Sequence, residues 1–306
     1  MGLIIDRRTF LWHAGAGMAS LVWRPSGLND LNAKPLLRFG LVTDSHYADR
    51  PEAGIRYYRE SLAKMQECID VFNRSQLDFV IHLGDFKDQN VQPQADETLH
   101  YLESLEAIYG SFVGPRYHCV GNHDVDSITK KQFLHGVTNT GIDPGSSYYQ
   151  FSHHGFSCLV LDANYYADGS DHYYAEGADW QDIRIPESEV LWLKETLETH
   201  REPTFIFCHH PLFEYTHGNT VYHVQNHEAI RRILEDHQQV VAVFQGHTHE
   251  SRQTEIQGIH YLTLLAMVDQ SGPENNAYAI AEVYPDRIEL IGYRRIADKT
   301  LPKKSR

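Results

Sequence analysis

The chain has 306 residues, of which 42% are hydrophobic and 22% are charged, and its formal net charge at pH 7 is −14. This length suits one enzyme domain with a large buried core. The acidic charge excludes nucleic acid polymers as a general partner, because binding to a phosphate backbone needs a basic face. The four cysteines form no C-x-x-C pair and stand in apolar stretches, which predicts buried free thiols.

The first segment of the chain is similar to an export signal. Asp6-Arg7-Arg8-Thr9-Phe10-Leu11 resembles a twin-arginine motif, and the uncharged stretch 14–23 resembles the apolar region that follows it. We therefore assign residues 1–33 to an export signal and 34–306 to one domain, which predicts a periplasmic or extracellular protein. The alternative is a basic tail on a cytoplasmic protein. The stretch is too short and too interrupted by glycine to span a bilayer, so no permanent membrane helix is expected.

From Leu36 onward, apolar runs of strand length alternate with segments of helical periodicity. In the first half, the patterns predict strands at 37–43, 79–83 and 116–120 and helices at 55–73 and 96–109. In the second half, they predict helices at 187–199 and 226–236 and strands at 148–151, 156–162, 204–208, 240–245, 259–264, 278–284 and 288–293. Such alternation is typical of a mainly parallel sheet with helices on its face. We expect an α/β fold in which two sheets pack face to face with the helices outside.

Five groups of polar residues directly follow predicted strands. They are Asp44-Ser45-His46, Gly84-Asp85-Phe86-Lys87-Asp88, Gly121-Asn122-His123-Asp124, Cys208-His209-His210 and Gly246-His247-Thr248-His249. Ligand sites of open sheets form at the carboxyl ends of the strands, so we expect these groups to meet. Carboxylate and amide oxygens together with imidazole nitrogens suit manganese, iron or zinc. The sequence therefore predicts a two-metal site that cuts phosphate esters.

The patterns D-x-H, G-D-x-x-D, G-N-H-D, H and G-H-x-H resemble the calcineurin-like metallophosphoesterase superfamily, over roughly residues 36–295. Within it, the chain is similar to the manganese-dependent ADP-ribose/CDP-alcohol diphosphatases at 56–62, 159–163 and 246–286. His46 departs from that group, in which glutamine often occupies the position. The resemblance implies a four-layer α/β/β/α sandwich of two packed mixed sheets.

The same resemblance implies two divalent metal ions, with manganese expected and iron or zinc as alternatives. It assigns three ligands to each ion and one bridging ligand: Asp44, His46 and His249 for the first ion, Asn122, His209 and His247 for the second, and Asp85 between them. A hydroxide that bridges the ions would attack phosphorus in line.

Neighbouring residues are candidates for catalysis and substrate binding. The resemblance implies that His123 protonates the leaving oxygen and that Asp124 orients His123. His210 is expected to face the substrate or to support a metal ligand, because strand alternation turns it away from the side of its neighbour. Arg56 and Arg59 are candidates for holding a second phosphate, with a solvated helix face as the alternative.

Other polar and aromatic residues have plainer interpretations. His82 and His118 lie inside predicted strands and are expected to be hydrogen-bonded core histidines. Asp88 is expected to cap a helix, with metal contact as the alternative. The aromatic-rich segment 163–185, which includes Trp180, is either a lid or base-stacking wall over the site or a patch packed on the core.

These observations predict an exported dinuclear-metal phosphohydrolase whose substrate is a small nucleotide-type diphosphate such as ADP-ribose or a CDP-alcohol. A second hypothesis keeps the metal site and changes the substrate to a phosphomonoester or to a simple or cyclic phosphodiester. A third, from a different class, is a metal-dependent binding scaffold without catalysis. The complete ligand set and the His123-Asp124 pair argue against the scaffold.

Overall fold

A computed structural model of the protein describes residues 33–173 and 179–303. The twin-arginine-like motif lies outside these residues, so the export signal stays a prediction. Among the helices of the described residues, none has the length and apolar character that crossing a membrane requires.

Two six-stranded mixed sheets form the centre of the fold. The strands of the first sheet, in spatial order β14-β13-β12-β1-β2-β3, are Lys299–Pro302, Arg287–Arg294, Ala277–Val283, Leu37–Val42, Phe79–His82 and Arg116–His118. Those of the second, in the order β10-β11-β9-β6-β5-β4, are Arg252–Ile256, Ile259–Thr263, Val240–Gln245, Thr204–Cys208, Phe156–Leu161 and Tyr149–His153. The pairs β1-β2, β2-β3, β5-β6, β6-β9 and β9-β11 are parallel.

Five helices cover the outer faces of the sheets. They are α1 Ser61–Arg74, α2 Ala95–Tyr109, α3 Lys130–Gly136, α4 Glu187–Thr199 and α5 His227–Asp236. Strands β7 Thr216–His217 and β8 Thr220–Val221 form a separate two-stranded hairpin. Helices α1 to α3 share a buried cluster with the first sheet, and α4 and α5 share one with the second. The expected four-layer α/β/β/α sandwich is confirmed.

Aromatic side chains fill the space between the two sheets. The ring of Phe39 on β1 stacks on Phe79 on β2 with centroids 4.9 Å apart, and its edge meets Phe207 and Phe244 of the opposite sheet. Such ring pairs contribute about 0.5–1.5 kcal/mol each beyond their buried area. The packing fixes the two sheets face to face.

Element boundaries differ from the sequence prediction mainly where tertiary pairing intervenes. The first helix begins at Ser61 rather than at residue 55, because the preceding segment pairs with a distant loop. Arg56 forms an antiparallel backbone β-bridge with Asp269, and the Tyr57 N–H donates to the Val268 carbonyl oxygen. Helix α3 was not predicted, although Thr129 and Gln132 form a capping box that the T-x-x-Q pattern indicates.

Candidate metal centre

The five motif groups meet at one end of the sandwich, as expected from their places after strands. Hydrogen bonds between the strand-end turns bring them together: the Asp44 N–H donates to the Gly84 carbonyl oxygen at 3.0 Å, and the Gly246 N–H donates to that of His209 at 2.9 Å. The His247 N–H donates across the two sheets to an Asp44 carboxylate oxygen at 3.1 Å. The turns that follow parallel strands of both sheets therefore contribute residues to a single site.

Left-handed backbone conformations are concentrated at this site. Five of the seven predicted ligands have positive φ: Asp44 at 52°, His46 at 45°, Asp85 at 53°, His247 at 69° and His249 at 56°. Such conformations cost on the order of 1–3 kcal/mol each for a residue with a side chain, and they persist where the surroundings impose them, as at active sites. The strain agrees with a functional site at the strand ends.

Two glycines permit the close approach of the strand-end turns. Gly84 has φ of +97°, and a Cβ atom there would lie 2.6 Å from Nδ1 of His209. A Cβ atom on Gly121 would overlap the backbone nitrogen and carboxylate of Asp85. Any larger residue at either position would displace a predicted ligand.

One group of donors consists of Asp44, His46 and His249. The two imidazole Nε2 atoms are 3.1 Å apart, and they lie 3.7 Å and 3.5 Å, respectively, from an Asp44 carboxylate oxygen. Donors about 2.1 Å from a common ion are separated by roughly 3–3.6 Å. The group therefore has the dimensions of a divalent-metal site.

The second group consists of Asn122, His209 and His247. The Asn122 Oδ1 and the Nε2 atoms of both histidines are buried, and they make no hydrogen bond within the described residues. Buried polar atoms are nearly always satisfied, and ring nitrogens of His209, His210 and His247 lie within 4.8 Å of one another, so the group has an arrangement that a cation would complete. The donor set, two imidazoles and an amide oxygen, suits manganese, iron or zinc.

Asp85 lies between the two groups. One of its carboxylate oxygens is 3.5 Å from Nε2 of His46 and 3.2 Å from Nε2 of His209. The other accepts a hydrogen bond from the His123 N–H at 2.8 Å. This position is the one that a bridging ligand requires.

The buried carboxylates of the site favour the binding of cations. Burial alone would raise the pKa of Asp85, but the neighbouring imidazoles of His209, His123 and His46 hold it well below its usual value. Burial lowers the pKa of His209, but the Asp85 carboxylate, together with Asp44 and the Leu83 carbonyl group, raises it to about 9, whereas burial lowers the pKa of His247 to about 3. Ionised carboxylates in a buried site attract divalent ions, which would replace the protons on the imidazoles.

The remaining nitrogen of three ligand imidazoles is held by a hydrogen bond. The His46 Nδ1 lies 3.1 Å from a carboxylate oxygen of Asp88, and the His249 Nδ1 lies 3.0 Å from one of Asp269. The His209 Nδ1–H donates to the Leu83 carbonyl oxygen at 2.8 Å. These contacts orient each ring so that its Nε2 faces the other donors of the site, where it would hold an ion. Asp88 therefore supports a ligand and caps no helix, and Asp269 carries no sequence motif that could have identified it.

The predicted pairing of His123 with Asp124 is wrong. The Asp124 carboxylate accepts hydrogen bonds from the backbone amides of Asp85, Phe86 and Gly121 at 2.8–2.9 Å. Adjacent residues of a tight turn point apart, so the Asp124 carboxylate lies against the backbone of the strand-end turns.

Two other carboxylates orient His123. The His123 Nδ1 lies 3.4 Å from a carboxylate oxygen of Asp88 and 3.4 Å from one of Asp126. Asp126 is in turn held by the buried ammonium group of Lys87 and by the Ser127 N–H. Despite the cost of burial, Asp88 and Asp85 raise the pKa of His123 well above its usual value.

The three predicted substrate-binding residues have different positions. Arg56 lines the cavity beside the metal donors. Arg59 is exposed and pairs with Asp49, so it does not reach that cavity. The His210 ring is fully buried against those of His209 and His247, and the cavity lining does not include it.

A cavity of about 430 Å³ opens over the donors. It is lined by Arg56, Asp85, Gln89, Asn122, His123, Asp126, Trp180, Tyr222 and His247. Of the aromatic segment 163–185, Trp180 reaches this cavity, whereas Tyr165 contacts Ser147 and Lys130, and 174–178 lie outside the described residues. Trp180 therefore agrees with the interpretation of this segment as a wall over the site, and Tyr165 agrees with its interpretation as a packed patch. Tyr222 lies in a loop whose sequence carries no pattern that indicates a pocket.

The predictions for the two core histidines and for the cysteines agree with the structure. His82 and His118 are buried: His82 lies 2.8 Å from the Ser45 hydroxyl, and His118 lies 3.2 Å from Asn139. All four cysteines are buried and free.

A family model described as calcineurin-like phosphoesterase matches residues 37–251, which is most of the chain and includes all five motif groups. The chain belongs to this family. As a calcineurin-like phosphoesterase, it is a metal-dependent phosphoester hydrolase.

Two curated relatives of this phosphoesterase bear the name manganese-dependent ADP-ribose/CDP-alcohol diphosphatase. The protein from Oryza sativa subsp. japonica is 26% identical over 87% of this chain and 94% of its own length, and the protein from Homo sapiens is 26% identical over 90% and 95%. Among solved structures, a dimetal phosphatase from Danio rerio has the same fold, with a TM-score of 0.73 and 23% identity over 89% of this chain and all of that one.

Proposed function

We propose that this phosphoesterase uses two divalent ions, with manganese preferred, to cleave the diphosphate of ADP-ribose or CDP-alcohol substrates. The single observation that carries the two-ion assignment is the position of Asp85, whose one carboxylate oxygen lies within 3.5 Å of a donor from each group. The names of the relatives support manganese and the diphosphate substrate.

The chain's own residues perform defined parts of this reaction. When bound, the two ions would supply positive charge that activates water and stabilises the phosphoryl oxygens. His123 lines the cavity, and its Nδ1 faces Asp88 and Asp126, so its Nε2 is the nitrogen that donates a proton to the leaving oxygen. Arg56 places a permanent positive charge on the cavity wall for the second phosphate.

Export by the twin-arginine route is the second part of the proposal. It is supported by Arg7-Arg8 and the uncharged stretch that follows. Cells that express the full chain should accumulate the protein outside the cytoplasm, and a double Arg7→Lys, Arg8→Lys variant should stay inside. Equal distribution of both proteins would remove this part.

A hydrolysis panel tests the substrate assignment. Purified protein with Mn²⁺ is assayed on ADP-ribose, CDP-choline, a cyclic nucleotide, a simple diester and a phosphomonoester. Release of AMP and CMP in preference to the other products supports the diphosphatase. Preferred hydrolysis of a monoester or a diester would support the metal chemistry and contradict the diphosphate assignment. No hydrolysis of any of the five compounds, in a protein with two ions bound, would support the binding scaffold.

Matched variants connect that activity to the site. Asp85→Ala should abolish hydrolysis and reduce the measured number of bound manganese ions per chain. His135→Ala is the control, since this histidine is exposed on α3 and does not line the cavity. Unchanged turnover in Asp85→Ala would refute the mechanism.

A further inference from the structure

We infer that Trp180 and Tyr222 form an aromatic wall that stacks the nucleobase of the substrate. The inference rests on the proposed function for its substrate class and identifies the residues that select a nucleotide. Both side chains line the cavity, and both are partly exposed.

The aromatic wall stands directly over one group of metal donors. The ring centroid of Trp180 is 5.5 Å from that of Tyr222 and 5.7 Å from that of His247, and Tyr222 is 5.6 Å from His247. The three rings are mutually tilted by 54–63°, so they form a corner. A flat ring that enters the corner can stack on one of these rings and meet another edge-on, which are the two geometries that aromatic groups prefer.

Hydrogen bonds hold the two segments of the wall together before any ligand binds. The Val221 N–H donates to the Gln181 side chain at 3.0 Å, next to both aromatic residues. The Gln225 N–H donates to the Ile183 carbonyl oxygen at 2.9 Å. A preformed wall loses little conformational freedom on binding, which favours affinity.

The cavity has different chemistry at its two ends. Trp180 and Tyr222 stand at His247, in the donor group completed by Asn122 and His209. Arg56 lines the same cavity, and its backbone pairs with that of Asp269, whose carboxylate lies 3.0 Å from Nδ1 of His249, so Arg56 lies beside the other donor group. A ligand that matches both ends carries an aromatic group at one end and an anionic group at the other, with a phosphoryl group between them. A nucleoside diphosphate derivative has this order of groups.

The cavity volume agrees with such a ligand. At about 430 Å³ it falls in the range of roughly 300–1,000 Å³ that small-molecule sites occupy. Every base has two aromatic faces, so stacking accepts adenine and cytosine alike. The wall would therefore serve both the ADP-ribose and the CDP-alcohol substrates.

Equilibrium binding tests the wall without depending on turnover. Calorimetric titrations of the manganese-loaded protein compare AMP and CMP with ribose 5-phosphate, which carries the sugar phosphate and lacks the base. We expect Trp180→Ala to weaken AMP binding by about tenfold, as removal of a base-stacking aromatic does, and to leave ribose 5-phosphate within about twofold. Trp180→Phe should restore most of the loss, because it keeps a ring.

Trp192→Ala is the matched control, since this half-exposed tryptophan on α4 contacts Tyr148 and does not line the cavity. It should bind every ligand as the wild type does. Equal loss for AMP and ribose 5-phosphate in Trp180→Ala, or no loss for either, would overturn the inference. So would a wild-type protein that shows no preference for AMP or CMP over ribose 5-phosphate.

The same titrations, together with the kinetics of ADP-ribose hydrolysis, distinguish failure of this inference from failure of the proposed function. A protein that binds AMP through Trp180 and leaves ADP-ribose intact retains the wall and refutes the diphosphatase. A protein that cleaves ADP-ribose with the same KM in the wild type and in Trp180→Ala retains the diphosphatase and refutes the wall.

Discussion

The carboxylate of Asp124 accepts a hydrogen bond from the backbone N–H of Asp85 at 2.9 Å. It accepts a second from the Gly121 N–H at 2.8 Å, so that one buried side chain connects the turns that follow β2 and β3. Asp85, the proposed bridging ligand, and Asn122, a candidate donor, are thereby held at a fixed separation.

Replacing Asp124 with asparagine should destabilise this connection. An amide offers one acceptor oxygen, so at least one backbone N–H of Asp85, Phe86 or Gly121 loses its partner. A buried donor without a partner costs about 1–3 kcal/mol. We expect the free energy of unfolding of Asp124→Asn to fall by about 2 kcal/mol in urea at pH 8, above the pKa of about 6 to which burial and Asp85 raise this carboxyl.

The exposed Asp70 on α1 provides the comparison, and Asp70→Asn should change the free energy of unfolding by less than about 0.5 kcal/mol. Manganese titration should also show weaker binding in Asp124→Asn. Full stability in this variant would mean that the carboxylate does not hold the turns.

His123→Ala should separate proton donation from metal binding. Loss of a general acid lowers kcat by about 10²–10⁴-fold. Because Nδ1 of His123 faces Asp88 and Asp126 rather than a donor group, the number of bound ions should stay the same. The decrease should be large for a substrate with an alkoxide leaving group and small for a nitrophenyl ester, which needs no proton. Equal decreases for both esters would exclude the role of acid.

The two candidate arginines should behave differently. Arg56 lines the cavity, whereas Arg59 is exposed beside Asp49. A charge-assisted hydrogen bond contributes about 1.5–3 kcal/mol, so Arg56→Ala should raise KM for ADP-ribose about tenfold or more. Arg59→Ala should stay within about twofold. Steady-state kinetics on both variants measures these KM values. Similar KM values for the two variants would show that Arg56 does not bind the substrate.

Glu189 should make stability depend on pH. This fully buried carboxyl accepts a hydrogen bond from the Asp162 N–H at 2.9 Å, and burial, with the nearby Asp162 charge, raises its pKa well above 4.5. The unfolded chain releases the proton near pH 4.5, while the folded protein keeps it to higher pH. The contribution of the protonated group is therefore complete below pH 4.5 and is lost as pH rises toward the folded-state pKa.

Glu189→Gln removes this titration, so the wild type should become less stable relative to the variant between pH 5 and pH 8. The difference can change by up to about 1.4 kcal/mol per pH unit. Urea denaturation of both proteins at pH 5, 6.5 and 8 measures it. A difference that is constant over this range would show that Glu189 ionises normally in the folded protein.

Local patterns were sufficient for the layers of the fold and for the metal donors. Helix α4 and strands β6 and β9 have the predicted bounds, because their periodicity and apolar runs match the burial that the sandwich imposes. The donor groups follow strands whose carboxyl ends meet in any open sheet of this kind, so their order along the chain already predicts one site.

Contacts between segments far apart in sequence decided the rest. Asp269 approaches His249 because the loop that follows β11 pairs with the segment around Arg56, and no local pattern encodes that pairing. Asp88 and Asp126, rather than Asp124, face His123, since the direction of each side chain depends on the turn that carries it.

The sequence by itself determined the α/β sandwich, the family and the candidate metal donors, because these depend on residue type, periodicity and order along the chain. The tertiary structure alone decided which carboxylate supports which imidazole, and it brought Trp180 and Tyr222 together over His247. Those relationships depend on distances between segments that are far apart in sequence, and such distances are fixed only when the sheets and loops pack.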